Sequence, residues 1–429
     1  MRALVLATVV VAGLVVSGAE APVTTIGVPG RSNEHLSVAA LGQTVALSWA
    51  ASSSAGTDVY ASVSRDGGAT FSTPARVNPR AGAASANGEQ PPRVTLVARG
   101  TTALPEVVVV WTAKATAGTQ LLAARSADGG RTFGASAVVT GSDAPGNRGW
   151  HSTTTDSRGR TFALWLDHRN LAGAASTMTH NHEAGASAPA PAPAPASKPD
   201  PVARAGQSQL YFAPLDGAGA ARSLTGGVCY CCKTSLTTDA SGGIYAVWRH
   251  VYAGNERDIA LTVSRDGGRT FSSPVRVSRD AWQIDGCPEN GPAVAVDQQK
   301  TVIVVWPTLV RDAGRESMSL FFATSRDGLN FSTRRALPTV GAAYHPQIAL
   351  EPGGNVVATW EEVTAQGRRV VVARGSRDGN GQLAFRRLPA IDAQAGVYPT
   401  LAATPSSTVL AWVRRSEGGS MIAVTRLQR

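Results

Sequence analysis

The sequence predicts an all-β fold, a β-propeller of four-stranded blades, from two patterns that repeat along its 429 residues. One is an eight-residue turn motif, Ser-x-Asp-Gly-Gly-x-Thr-Phe, which begins at Ser64, Ser126 and Ser264, with degenerate copies at Ser325 and Ser376. The other is a β-branched stretch that ends in tryptophan and occurs seven times. Repeated units of four strands arranged around a ring describe a propeller, and seven tryptophans favour seven blades over six.

Each part of the turn motif has a role in a tight hairpin. The aspartate accepts hydrogen bonds from backbone amides a few residues further on and closes the turn. The glycines permit positive φ angles, and the phenylalanine returns the chain to a buried strand. The motif therefore predicts a structural hairpin, and its aspartate is not expected to be catalytic.

The tryptophan pattern sets the order of strands within each unit. An acidic turn residue precedes several of the tryptophans by nine positions, so a unit reads as strand A, turn, strand B ending in tryptophan, loop, strand C, turn motif and strand D. The tryptophans are Trp49, Trp111, Trp165, Trp248, Trp306, Trp360 and Trp412. Residues 23–28 form a spare strand that we expect to complete the last unit and close the ring, leaving no open edge.

These turn motifs, known as Asp-boxes, together with the tryptophan repeat over residues 23–429, resemble the sialidase superfamily of β-propellers. The resemblance implies that a site lies on the face of the D-to-A and B-to-C loops, opposite the Asp-boxes. It also implies a tyrosine nucleophile, an acidic residue and arginines that hold a substrate carboxylate. If the chain is a hydrolase, the candidates are Tyr398, Arg249, Arg257 and Asp258.

Two departures from that family favour a divergent, non-catalytic member. Sialidases open their first blade with an arginine motif, whereas this chain has Asn-Glu-His-Leu-Ser at residues 33–37. Authentic sialidases also have six blades, and this sequence favours seven. The activity implied by the resemblance is therefore an alternative, and a binding role is the first expectation.

The domain organisation is simple. Residues 1–21 are predicted to be a secretory signal peptide, because a positive end and a short apolar run precede a small-residue cleavage site. The mature chain is then periplasmic or secreted. Residues 22–429 are predicted to be one propeller, and no later stretch is long and apolar enough to span a membrane. Residues 184–206, rich in alanine and proline, are predicted to be a disordered insertion in the B-to-C loop of the third unit.

The net charge of +10 gives limited information on partners. No basic cluster with interleaved aromatic residues is present, and export removes the chain from nucleic acid, so none is expected as a partner. A metal ion, a small ligand or a glycan at the mouth of the central channel is the expected partner.

The four cysteines leave two interpretations open. Cys229, Cys231 and Cys232 are nearly contiguous, and Cys287 occupies the position in the next unit that corresponds to Cys229, which makes a bridge between adjacent blades natural. Alternatively, the four thiols form a soft-metal site, or one bridge is combined with a mixed metal site of cysteine, histidine and methionine. A thioether and two imidazoles nearby favour copper over zinc as its ion: Met178, His180 and His182.

Further polar residues are expected on the same face, as partners of metal ligands, as an anion-binding pocket or as a structural network. They are His151, Asp167, His168, Arg169, His250, Glu289 and His345. The sequence thus favours an exported binding protein with a copper-type site of cysteine, histidine and methionine. The alternatives are an exo-sialidase-type glycoside hydrolase and a disulfide-stabilised scaffold that binds a protein or a glycan.

Overall fold

The computed structural model describes residues 22–100, 104–171, 200–217, 219–284, 286–312, 314–391 and 396–429, which form a ring of seven β-sheets. The innermost strand of each sheet contacts the innermost strands of its two neighbours, and the contacts run full circle around a central channel. The fold class and the seven blades predicted from the sequence are confirmed.

Blade 1 contains, from the innermost strand outward, β2 (Ser32–Leu41), β3 (Thr44–Ser53), β4 (Gly56–Ser64) and β5 (Ala75–Arg76). Blade 2 contains β6 (Ala84–Ser85) and β7 (Arg93–Val97) in the innermost position, then β8 (Glu106–Ala115), β9 (Gly118–Ser126) and β10 (Ala137–Val138). Blade 3 contains β11 (Arg148–Thr155), β12 (Thr161–Asp167), β13 (Gln209–Pro214) and β14 (Arg222–Gly226). In blade 2 the innermost strand is interrupted, because β6 and β7 both pair with β8.

Blade 4 contains β15 (Ser235–Thr238), β16 (Ile244–Tyr252), β17 (Glu256–Ser264) and β18 (Val275–Arg276). Blade 5 contains β19 (Ala293–Val296), β20 (Val302–Asp312), β21 (Arg315–Ser325) and β22 (Arg335–Ala336). Blade 6 contains β23 (Ala342–Leu350), β24 (Val356–Thr364), β25 (Gly367–Arg377) and β26 (Leu383–Arg387). A 3₁₀ turn, Ala253–Asn255, joins β16 to β17.

Blade 7 combines both ends of the described chain. It contains β27 (Gly396–Ala403), β28 (Thr408–Ser416), β29 (Gly419–Leu427) and, as its outer strand, β1 (Thr24–Ile26). β1 runs antiparallel to β29, with Thr24 opposite Val424. The predicted closing strand is therefore confirmed, and it covers the edge of the last sheet.

The tryptophans of the repeat fill the space between blades. All seven are the largest fully buried side chains of their strands, with at most 1% of each exposed. Between blades 4 and 5, for example, Val263 packs in one cluster with Val302 and Trp306. Burial of these apolar faces stabilises the fold by about 25 cal/mol for each Å² removed from water, and it holds adjacent blades together.

The turn between the two outer strands of blade 1 shows what the repeated motif does. Asp66 accepts hydrogen bonds from the amides of Ala69 and Thr70, both 2.9 Å long, and Ser64 accepts one from the amide of Gly68 at 2.8 Å. Gly68 has a φ of 87°, a conformation that favours glycine. The carboxylate of Asp66 thus makes its hydrogen bonds within the turn.

A short helix, α1 (Pro201–Gln207), differs from the sequence prediction. Residues 201–206 were predicted to belong to the disordered insertion, but Asp200 caps the helix by accepting hydrogen bonds from the amides of Val202 and Ala203. Pro201 stands in the first turn, where a missing amide costs nothing, and Ala205 is fully buried beside the cysteines. Residues 184–199 and the predicted signal peptide lie outside the described residues.

Within the described ranges, none of the helices has the length and apolar character that a membrane crossing requires.

Candidate functional site

Four innermost strands share an unusual backbone feature at the point where each begins. His35, Trp150, His345 and Tyr398 have φ angles between 50° and 56°, although none is glycine. In each case the pairing register with the next strand shifts at that residue. A bulky residue in this conformation costs roughly 1–2 kcal/mol, and such strain clusters at functional sites. The four bulges mark the face reached by the D-to-A loops.

Side chains from several blades meet at this end of the channel. Glu89 of blade 2 accepts hydrogen bonds of 2.8 Å from the amides of Lys233, before blade 4, and Gly291, before blade 5. The ammonium group of Lys233 lies 3.7 Å from the other oxygen of Glu89. His345 of blade 6 approaches the same oxygen at 4.0 Å. We call this group the channel-mouth cluster; it comprises Glu89, Lys233, His345, Glu361 and Tyr398.

The other half of the cluster centres on a buried carboxylate. Glu361 accepts a hydrogen bond of 3.1 Å from the amide of Tyr398, and His345 Nδ1 lies 3.5 Å from the same oxygen. Arg368 binds the second oxygen. Burial opposes ionisation of Glu361, but His345 and Arg368 outweigh it and lower its pKa. The carboxylate is therefore charged at neutral pH.

The ring of Tyr398 packs against this pair. Its ring centre is 4.3 Å from that of His345, and a Cβ atom added at Gly88 would lie 2.0 Å from its Cζ. Burial, and then the negative charges of Glu361 and Glu89, raise the pKa of Tyr398 well above its usual value. The phenol is therefore protonated at neutral pH, so it can donate a hydrogen bond but is not an ionised nucleophile.

The cysteines lie beside this cluster, in the loops that lead into blades 4 and 5. Cys231 and Cys287 form a disulfide across these loops, with Cα atoms 6.1 Å apart. The expected bridge between adjacent blades is present, but Cys231 rather than Cys229 pairs with Cys287, because Cys229 is turned toward Arg257. The disulfide also removes Cys231 and Cys287 from the predicted set of four thiols.

Two thiols remain free, and both are buried. The Sγ atoms of Cys229 and Cys232 are 3.8 Å apart, and Cys229 Sγ is 3.9 Å from Cys231 Sγ. The three sulfur atoms lie within 4.8 Å of one another. We call Cys229, Cys231, Cys232 and Cys287 the sulfur cluster.

Two buried guanidinium groups adjoin the sulfur cluster. Arg257 donates a hydrogen bond of 3.3 Å to Cys229 Sγ and a second to Asn255. Arg249 donates to the backbone carbonyls of Arg257, Asn290 and Pro307. None of these acceptors is a carboxylate, although a buried charge needs a counter-charge. The arrangement therefore favours Cys229 as a thiolate.

The pKa values of the two thiols move in opposite directions. The hydrogen bond from Cys232 and the positive charges of Arg257 and Arg249 outweigh burial and lower the pKa of Cys229 to about 6. Burial, and then the interaction with Cys229, raise the pKa of Cys232. At neutral pH Cys229 is therefore a thiolate, and Cys232 is a thiol that donates a hydrogen bond to it.

The predicted residues of blade 3 form an ion network. Asp167, which is fully buried, receives hydrogen bonds from Arg148 at 3.1 Å and from Arg169 at 2.8 Å. The ring of His168 packs at a tilted angle on Trp150, with ring centres 5.2 Å apart. Asp167 and the two arginines satisfy one another, which is the pattern of a structural network.

Three predicted histidines are neutral for the same reason. Burial lowers the pKa of His151 to about 3, that of His168 to about 4 and that of His250 to about 4. His151 bonds to the carbonyl of Val110, and His250 accepts from the indole of Trp248 at 3.3 Å. They have the protonation state of metal ligands. His151 and His250 each use one ring nitrogen in a hydrogen bond, whereas Nδ1 of His151 and Nε2 of His168 are buried without a hydrogen-bond partner among the described residues.

Of the two remaining predicted pocket residues, His345 belongs to the channel-mouth cluster, and Glu289 meets it through its backbone. The carbonyl oxygen of Glu289 lies 3.2 Å from His345 Nε2. Glu289 itself has a φ of 43°. The structure therefore places both residues at the channel mouth, where the sequence predicted a pocket.

The residues proposed for a hydrolase fall into separate groups. Arg249 and Arg257 face the sulfur cluster, whereas Asp258 pairs with Arg276 at 2.5 Å. Tyr398 lies in the channel-mouth cluster. The contacts of the described residues do not bring these four side chains around one point. Met178, His180 and His182 lie outside the described residues.

Sequence reasoning missed Glu89 and Lys233, whose contact connects blade 2 to the loop before blade 4 at the channel mouth. Glu89 lies between β6 and β7, in the interruption of the innermost strand of blade 2. Lys233 directly follows the cysteines. Aligning the seven A strands on their partners in strand B would have drawn attention to Lys233, which stands two residues before the partner of Val247 as His35 stands two before the partner of Ser48.

No protein-family model matches this chain, and no curated protein does. Solved structures do. The polysaccharide lyase Uly1 aligns with a TM-score of 0.57 at 10% identity, over 91% of this chain and 90% of that one. An α-L-arabinanase of Penicillium chrysogenum complexed with arabinobiose aligns with a TM-score of 0.51 at 10% identity, over 96% and 98%.

A Hadza microbial sialidase, Hz136, aligns with a TM-score of 0.46 at 14% identity, over 89% of this chain and 76% of that one. At these identities the likeness concerns the fold, which is the propeller that the Asp-box resemblance implied.

Proposed function

We propose that this protein binds a soft metal ion, copper(I), through Cys229 and Cys232 on the face opposite the turn motifs. The observation that carries the proposal is a pair of free, buried thiols 3.8 Å apart, one of which is hydrogen-bonded by a buried guanidinium. Thiolates are the ligands that copper(I) and zinc prefer.

The spacing of the two sulfur atoms suits a shared metal ion. Two thiolates bound to one tetrahedral zinc at about 2.3 Å lie about 3.8 Å apart, so an ion can enter with small side-chain movements. Zinc requires two further ligands, and the disulfide leaves Cys231 and Cys287 without thiolates. The pair alone therefore favours copper(I), for which soft sulfur ligands matter most.

The charge balance also supports copper(I). Two thiolates and one copper(I) ion carry a net charge of −1, which the adjacent guanidinium of Arg257 offsets at 3.3 Å from Cys229. A divalent ion on the same pair would be neutral and would leave both Arg257 and Arg249 without a counter-charge, which is costly in a buried site. Met178, His180 and His182 remain candidates for additional ligands.

The test is a copper(I) titration of the full chain under anaerobic conditions against a chromogenic copper(I) chelator. We expect one ion per chain, and at least 100-fold weaker binding in both Cys229→Ser and Cys232→Ser, each of which leaves one thiolate. His35→Gln, in β2 of blade 1, is the matched control and keeps the affinity. Equal affinity in the double serine variant would refute the proposal.

A second candidate function, glycan binding at the channel mouth, is favoured by a different observation. Tyr398 has a left-handed backbone with φ of 50°, and its ring packs at a tilted angle on His345, next to the ionised Glu361. An aromatic ring beside a carboxylate offers stacking and hydrogen bonding to a sugar. The lyase and the arabinanase with the same fold act on saccharides by their names.

This candidate is tested with a fluorogenic sialoside and with direct binding of arabino-oligosaccharides. Activity or binding that falls at least tenfold in Tyr398→Phe, but not in Tyr60→Phe on an outer strand of blade 1, would support it. Saccharide binding that is unchanged in Tyr398→Phe would contradict it.

A further inference from the structure

The sulfur cluster places a nucleophile next to an electrophile. Cys229 Sγ, a free thiol that receives a hydrogen bond from Arg257, lies 3.9 Å from Cys231 Sγ, one half of the Cys231–Cys287 disulfide. A second free thiol, Cys232, lies 3.8 Å from Cys229 on its other side. A thiolate that can reach a disulfide sulfur exchanges with it.

We propose that the sulfur cluster is an internal thiol–disulfide relay, which moves the disulfide from Cys231–Cys287 to Cys229–Cys232 and frees a thiol at Cys287.

The first step is attack of the Cys229 thiolate on Cys231 Sγ. A Cys229–Cys231 bond forms, the Cys231–Cys287 bond breaks, and the electron pair leaves on Cys287 as a thiolate. The chain holds one disulfide before and after the step, so no external oxidant or reductant is needed.

In the second step Cys232 attacks Cys229 Sγ. A Cys229–Cys232 bond forms, the Cys229–Cys231 bond breaks, and Cys231 leaves as a thiolate. The proton of the Cys232 thiol passes to one of the released sulfur atoms. The product contains the Cys-x-x-Cys ring familiar in redox proteins, together with two free sulfur groups.

Arg257 sets the direction of the first attack. Its side chain bonds to Cys229, Asn255 and Tyr230, and the Cys229 thiolate offers an anion that balances its charge. Arg249, stacked over the indole of Trp282 at 4.8 Å, adds a second buried positive charge. These groups hold Cys229 as the attacking anion rather than Cys232.

Burial gives the relay its consequence. Cys229, Cys231 and Cys232 are at most 2% exposed, whereas Cys287 is only partly buried. The relay therefore transfers reactivity from a sealed thiol to one that an external reagent can reach. The exchange requires no metal, but it consumes Cys229 and Cys232, so the relay product cannot bind copper(I) through these two thiols.

The test traps the freed thiol in the metal-free full chain. The protein is incubated anaerobically with N-ethylmaleimide for increasing times, unfolded in acid, and its peptides are analysed by mass spectrometry without reduction. We expect alkylated Cys287 to accumulate together with a Cys229–Cys232 disulfide. Cys229→Ser should abolish labelling at Cys287, and Arg257→Gln should slow it at least tenfold, with partial rescue by Arg257→Lys.

A further variant keeps the relay testable if Cys229→Ser folds poorly. In Cys232→Ser the first step proceeds and the second cannot, so alkylated Cys287 should appear with a Cys229–Cys231 disulfide. Labelling confined to Cys229 and Cys232 in the wild type, or equal labelling of Cys287 in Cys229→Ser, would overturn the proposal. Copper(I) binding is measured separately, by titration of the protein with Cys229 and Cys232 reduced.

Discussion

Arg257 donates a hydrogen bond to Cys229 Sγ over 3.3 Å, and both side chains are buried. A guanidinium in this position has few ways to be neutralised, since its other side-chain contacts are the amide oxygen of Asn255 and the side chain of Tyr230. The ionisation of one cysteine is thus tied to the burial of one arginine. This relationship makes the thiol chemistry of blade 4 measurable.

We predict that Cys229 titrates with a pKa of about 6, because the hydrogen bond from Cys232 and the charges of Arg257 and Arg249 stabilise the thiolate. The ultraviolet absorbance of the thiolate should rise through this pH in the metal-free protein. In Arg257→Gln the midpoint should move upward, toward the value of about 8.5 for a free cysteine. Arg279→Gln at the surface is the control, and an unchanged midpoint in Arg257→Gln would contradict the assignment.

A second prediction concerns the buried carboxylate of Glu362. It accepts hydrogen bonds from Arg387 at 2.8 and 3.0 Å and from the amide of Val340 at 2.8 Å. Replacement by glutamine removes the negative charge that pairs with Arg387. We expect the free energy of unfolding to fall by about 3 kcal/mol, a loss moderated because the arginine partly reaches solvent. Glu316→Gln, in an exposed pair with Arg311, should cost under about 1 kcal/mol. Urea unfolding of both variants measures the difference.

The same carboxylate gives a pH dependence. Burial alone would raise the pKa of Glu362, but Arg387 and the amide of Val340 lower it to about 2. Because the unfolded value is about 4.3, the stabilisation is complete above that pH and is lost as the pH falls toward about 2. The acid branch of the stability curve should therefore be shallower in Glu362→Gln than in the wild type. Parallel curves would count against this role.

A third prediction separates backbone strain from steric clash at the turn motif. Gly268 and Gly242 have φ angles of 87° and 88°, but a Cβ atom at Gly268 would lie 2.7 Å from the ring of Phe212, whereas none is within 4 Å at Gly242. Both alanine variants carry a strain of roughly 1–2 kcal/mol. Gly268→Ala should lose about 1–3 kcal/mol more by overpacking. Equal losses in thermal unfolding would remove the clash from the explanation.

A fourth prediction concerns ring closure. Ile26, at the end of β1, is 8% exposed and packs between blades 7 and 1 with Leu36 and Ile422. Ile26→Ala should cost about 2–4 kcal/mol of unfolding free energy. Thr24→Ala, an exposed position on the same strand, should stay within about 0.5 kcal/mol. Similar losses at both positions would mean that β1 contributes through its backbone alone.

Periodic features of this protein could be predicted from its sequence. Seven tryptophans at similar spacing specify seven second strands, because each must be buried in the same place of each repeat. The spare strand at residues 24–26 and the missing outer strand after Leu427 imply each other. These predictions rest on repetition, which averages out local irregularities.

The site depended on irregularities that a repeat does not encode. Arg257 and Asp258 are neighbours in β17, yet successive side chains point to opposite faces, so one meets Cys229 and the other meets Arg276. The choice of Cys231 over Cys229 for the disulfide depends on the path of a loop only a few residues long. Glu89 reaches across the channel because of a local interruption in its strand.

The ring is joined in two places of different chemistry. Hydrogen bonds join β1 to β29 in blade 7, and a covalent bond joins the loops that enter blades 4 and 5. If the seam in blade 7 parts, the circle becomes an open chain of blades, but the disulfide keeps the two blades of its middle region together. A reducing agent should remove this remaining link. The redox state of the surroundings then decides whether blades 4 and 5 stay covalently joined when the ring opens.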